Sequence, residues 1–210
     1  AYIFDVYKTF RDHNKFLILI YLLKKTFDEY KKNSINVSYA DFYLKNHVEI
    51  NKFSIIDLSN KLLLPKETAR RKVLELEKIG AIKRIKKKII LDRSVFPNIK
   101  PPKSIIRISM FLNKFYDFLN SHKAINKKIS SKNIQNHFMK NFTTCWNFYY
   151  ILQIGIMTSQ KKTFEDIESW HLWGICYVNK FYVLKNNNTK NSINIFEKSI
   201  AKMTGPGLNA

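Results

Sequence analysis

Apolar residues recur along most of this chain at helical spacing. Phe16-Leu-Ile-Leu-Ile-Tyr-Leu-Leu23, continued by Phe27 and Tyr30, predicts a strongly apolar helix of roughly 18 residues that ends at the polar run Lys31-Lys-Asn-Ser34. A second helix is predicted from Tyr39 to about His47, because Ser38 and Asp41 have capping-box spacing, with Asp in place of the usual Glu. The stretch Ile55 to Leu63 can bury Ile56, Leu58 and Leu62 while leaving Asp57, Asn60 and Lys61 to solvent. Leu64-Pro65 ends it, since proline has no amide hydrogen to donate and turns the preceding residue away from the helical region. Proline is tolerated at a helix start, so a new helix can begin at once. In that helix Ala69, Val73 and Leu76 stand at i, i+4 and i+7 and define one buried stripe. The opposite side carries Glu67, Thr68 and Arg71, with Lys66, Arg70 and Lys72 on its flanks. Gly80 follows as the residue that most easily closes a helix in the left-handed conformation.

After Gly80 the period changes. Ile82, Ile85 and Ile89-Ile-Leu91 are β-prone and flank Lys86-Lys-Lys88, which predicts a two-stranded hairpin with three like charges at its tip. Three prolines between Asp92 and Ser104 mark 94–103 as a linker. Beyond it Ser104 to about Ser121 reads as a helix with Ile105, Ile106, Ile108, Met110, Phe111 and Phe115 among its apolar positions. A long helix is expected from about Lys132 to Ser159. Its stretch from Phe142 to Met157 is apolar nearly all round and so suits the centre of a helical cluster or a subunit interface. Thr163 and Asp166 have the spacing of a further helix start, and a last helix is expected around Ile193 to Met203.

Charge narrows the class of partner. A formal net charge of +21 on 210 residues points to a polyanion. Lys, Asn, Ile, Phe and Tyr are abundant throughout, as in a protein from an AT-rich genome, so the Lys excess by itself is weak evidence. Arginine is more selective: of 37 basic residues only six are Arg, and three of them, Arg70, Arg71 and Arg84, fall in one short segment. That placement suits a planar bidentate donor used for recognition. The two cysteines form no CxxC pair, which fits a reducing cytoplasm, and no metal site is expected from the scattered His and Cys residues. The run from Phe142 to Met157 is too short and too interrupted for a membrane span. No phosphate-binding Gly-rich loop or nucleophile elbow occurs among five glycines. Glu165-Asp-Ile-Glu168 could suggest metal-dependent nuclease chemistry, yet a helix start explains it better. Trp146, Tyr149, Tyr150, Trp170 and Trp173 at helical spacing read as core before they read as an effector pocket.

Asp57-Leu-Ser59, Leu63, Lys66-Glu-Thr-Ala-Arg-Arg-Lys72, Leu76, Glu77, Gly80 and Ile82 together resemble the winged helix-turn-helix of bacterial transcriptional regulators of the GntR and MarR groups. The resemblance covers about 40 residues within 54–91. It implies a winged helix-turn-helix with a small β-hairpin wing, and the helical pattern of residues 104–210, which the resemblance does not cover, makes the expected fold mainly α with an α-helical second domain. It further implies a second motif helix (66–79) that enters the major groove and a basic wing (81–91) on phosphates. By position the DNA contacts fall to Lys66, Glu67, Thr68, Arg70, Arg71 and Lys72 on the helix and to Arg84, Lys86, Lys87 and Lys88 on the wing. The expected organisation is residues 1–93 as the DNA-binding domain with support helices, 94–103 as linker, and 104–210 as a helical part for dimerisation or sensing. The expected activity is sequence-specific binding of double-stranded DNA in the cytoplasm, nucleoid-associated, without catalysis, cofactor, metal or membrane. A replication initiator or nucleoid protein is the alternative, with a nuclease or an interaction scaffold behind it. The sequence does not identify an effector. It begins at Ala1 and stops soon after Gly205-Pro-Gly207, which leaves open that it is a piece of a longer protein.

Overall fold

The computed structural model describes residues 9–86, 88–95, 102–126 and 128–186. The first helix, α1 (His13–Lys32), is capped by Asp12, whose carboxylate accepts from the amides of Asn14 and Lys15 at 2.8 and 3.1 Å. Every residue from Phe16 to Leu22 is buried, so α1 is covered on all sides and forms the central pillar. Helix α2 (Tyr39–Leu44) starts at Ser38, whose hydroxyl accepts from the Asp41 amide as the capping-box spacing predicts. It is shorter than expected. The chain leaves it at Lys45 in an extended conformation and enters a strand, β1 (His47–Ile50), that the sequence pattern does not predict.

Helices α3 (Ile55–Leu62) and α4 (Lys66–Lys78) follow, then the strands β2 (Ile82–Ile85) and β3 (Lys88–Asp92) and a single 3₁₀ turn at Arg93–Val95. The three strands form one antiparallel sheet in the order β1-β3-β2. Register places Ile82 opposite Leu91 and Ile50 opposite Ile89, so one face of the sheet is apolar and buried against the helices. The other face carries Glu49, Lys83 and Lys88 towards solvent. The hairpin of β2 and β3, with the turn after Ile85, lies where the change of period predicts it. Gly80 takes φ +74° and lets the chain leave α4 and turn into β2.

The second half contributes α5 (Pro102–Ser121), α6 (Ser131–Lys140), α7 (Phe142–Phe164) and α8 (Ile167–Asn186). The long helix expected from Lys132 to Ser159 is two helices, because the Asn141 side chain donates to the His137 carbonyl and accepts from Asn36, which stops α6 and lets α7 restart. Thr163 lies inside α7, and Asp166 caps α8 by accepting from the Ser169 amide. Most of the expected linker, residues 96–101, lies outside the described residues, as does the helix expected around 193–203.

The chain divides into two compact units, residues 1–159 and 160–210. The sheet and the first eighteen residues of α7 therefore share one unit, and the physical reason is visible. Val37 donates to the Thr143 hydroxyl at 2.9 Å, the Thr143 amide donates to the Val37 carbonyl at 3.2 Å, and Asn147 donates to Asp28 at 3.1 Å. Phe27, Phe42, Phe142, Trp146 and Tyr150 pack as one aromatic cluster between α1, α2 and α7. Only one side of α7 is buried, through Phe142, Thr143, Trp146, Asn147, Tyr150 and Met157. Phe148, Ile151 and Leu152 remain exposed, so this helix is not enclosed all round.

Candidate nucleic-acid interface

Helix α3 is capped by Ser54 and packs Leu58 and Leu62 inward, both completely buried. Ile56, expected to join them, is 58% exposed, because it lies on the far side of so short a helix. Asp57, expected in solvent, is tied back to α1. It accepts from the Tyr21 hydroxyl at 2.6 Å and from the Lys25 ammonium at 3.3 Å. The Tyr21 hydrogen bond, with Lys25 assisting, holds the Asp57 carboxyl below the usual carboxylate range. Burial and the bond to Asp57 push the Tyr21 phenol up.

The joint between α3 and α4 turns at Leu63, which takes φ +52°, and not at the proline. Ser59 clamps it on both sides, with its carbonyl accepting from the Leu64 amide and its hydroxyl donating to the Leu64 carbonyl at 2.6 Å. Pro65 then stands at the N-cap of α4. Ala69, Val73 and Leu76 are completely buried, so the orientation of α4 is set by the predicted stripe. Lys66, Glu67, Arg70 and Arg71 are consequently exposed, with Thr68 half-buried beside them. Arg71 makes one loose ion pair with Glu75 at 3.9 Å.

Other members of the predicted set are engaged within the protein. Lys72 turns inward, 14% exposed, and binds Asp12 at 2.6 Å and Glu75 at 3.0 Å, while Lys15 joins Glu75 at 3.1 Å. Burial alone would lower the Lys72 ammonium, yet its hydrogen bonds to Asp12 and Glu75 outweigh that and raise it. The same network overcomes the burial of the Glu75 carboxyl and lowers it. Arg84 is clasped by Glu77 at 2.7 Å, and Lys88 is paired with Glu49 on β1. Lys86 stands exposed at the hairpin turn with φ +53°, and Lys87 lies outside the described residues.

Two exposed cations stand outside the predicted set: Lys78, at the end of the solvent face of α4, and Lys83 on the outer face of β2. The alternation around Ile82 and Leu91 could have found Lys83, since a period of two puts it on the outer face. Among the described residues no group of His, Cys, Asp and Glu could hold a metal ion, and no helix is long and apolar enough to cross a membrane. Comparison with protein-family models, with curated proteins and with solved structures returns no match to this chain.

Proposed function

We propose that residues 13–92 form a winged helix-turn-helix that binds double-stranded DNA with sequence preference, in the manner of a transcription regulator. The observation that carries this reading is the pairing of a fully buried stripe with a basic outer face on one helix. Ala69, Val73 and Leu76 anchor α4, and Lys66, Glu67, Arg70 and Arg71 project from its free side. The succession strand, helix, helix, strand, strand from β1, α3, α4, β2 and β3, preceded by α1 and the short helix α2, supports it, as does an exposed Lys86 at the end of the hairpin. On this reading Arg70 and Arg71 supply bidentate donors for base edges, and Lys66, Lys83 and Lys86 supply phosphate contacts. The action is binding, and salt dependence follows from counterion release.

Selection of binding sites from random duplex DNA by the purified chain, at two salt concentrations, tests the reading. The expected result is an enriched site whose affinity falls steeply with salt. Arg71→Ala should cost about 1–3 kcal/mol at one base position and leave unrelated DNA almost unaffected. Uniform weakening on all sequences would remove Arg71 from base readout. Salt-insensitive or absent DNA binding would overturn the proposal.

A further inference from the structure

Helix α5 is apolar on two opposite sides. Ile105 and Ser109 are buried beneath it, and α5 packs on α6. The other side exposes Ile106, Met110, Phe111, Phe115 and Phe118, each between 43% and 67% open to solvent. At about 100° per residue, Arg107, Phe111, Lys114 and Phe118 fall in one line at i, i+4, i+7 and i+11, with Met110 on one side and Phe115 on the other. Cations therefore sit in the middle of the stripe. A lipid surface would favour them at the margins, where they could reach headgroups. In the middle they need aromatic faces and a carboxylate, and the same helix supplies Phe111, Phe118 and Asp117.

We propose that this face binds a second copy of the chain through an antiparallel pair of α5 helices. Antiparallel pairing sets Phe118 against Arg107 and Phe111 against Lys114, each twice by symmetry, with the two Met110 margins meeting along one edge and the two Phe115 margins along the other. Asp117, next to Phe118, then comes within reach of Arg107 of the second copy, and Arg107 also acts on Tyr149 within its own chain. The exposed part of the five apolar side chains is roughly 500 Å² per copy at about 200 Å² for each large side chain. Two such faces contribute about 1,000 Å², and the polar margins bring the total towards the range of specific interfaces.

Sedimentation equilibrium of the full chain across the micromolar range is the test. The expected species has twice the monomer mass of 25.0 kDa. Phe111→Glu with Phe118→Glu should return it to 25.0 kDa while helical circular dichroism is unchanged, and Leu44→Glu, at an exposed apolar residue elsewhere, should stay dimeric. Should the double variant lose helicity, Lys114→Glu replaces it, with a dimer dissociation constant raised about tenfold. A monomeric wild type overturns the proposal, including one whose α5 face is protected from hydrogen exchange by the rest of its own chain. A dimer indifferent to Phe111→Glu/Phe118→Glu or to Lys114→Glu overturns it equally.

Discussion

Lys72 and Arg71 are neighbours in sequence with opposite duties. One residue step of 100° separates a side chain that closes an ion-pair network from one that stands 68% exposed. The network joins Asp12, which also caps α1, to Lys72, Glu75 and Lys15, so it fixes the N-terminal end of α1 against α4. Lys72→Met removes the cation and leaves Asp12 and Glu75 without it. It should destabilise the protein by about 1–3 kcal/mol in chemical denaturation. The salt slope of DNA binding should stay at the wild-type value, since Lys72 is not a phosphate ligand in this arrangement. A slope reduced by about one with unchanged stability would assign Lys72 to phosphate after all. Leu63 and Lys86 show a second residue-scale device, positive φ at non-glycine positions that make the two tight joints of the motif.

At the scale of elements, α4 was legible because three residues at helical spacing suffice to orient a helix once they meet a core. The hairpin was legible for the same reason in period two, with Ile82, Ile89 and Leu91 all buried. The pairing of Ile85 with Lys88 leaves two residues in the turn, the length that favours positive φ at its central positions. Lys86→Gly therefore keeps the turn and removes a charge. The hairpin amides should hold or gain hydrogen-exchange protection while DNA affinity falls and the salt slope drops by about one. Unchanged affinity would show that the tip stands clear of phosphate. Strand β1 was not legible: His47-Val-Glu-Ile50 is four residues long, continues from a helix, and acquires its meaning from β3. Glu49 and Glu77 likewise look like ordinary surface acids until the fold sets them against Lys88 and Arg84.

Across the whole molecule, the sheet, the motif helices and the beginning of α7 share one core. Phe142 is 1% exposed and touches Phe27, Phe42 and Trp146. Phe142→Ala should cost about 3–5 kcal/mol, and the loss should reach β3, at least 50 residues upstream. Equal loss of hydrogen-exchange protection in α7 and in Ile89 to Leu91 is the expected result. Loss confined to α7 would mean that residues 13–92 fold on their own. The net charge also belongs to this scale: the 16 acids are already subtracted in +21, so pairs such as Lys72 with Asp12, Arg84 with Glu77 and Lys88 with Glu49 cancel within it and the excess is carried by other cations.

The sequence by itself determined which faces are buried, where α1 and α4 run, how the hairpin turns, and that basic residues gather on one segment. These are local properties, set by periodicity and by side chains within a few positions of one another. Tertiary structure alone decided which of those basic residues remain free, that β1 completes the sheet, and that α7 completes the first core. Each of these depends on a partner distant in sequence, Asp12 for Lys72, β3 for β1, and Val37 and Phe27 for the start of α7. Pattern along a chain carries no record of such distances, because the partners are chosen only when the elements pack.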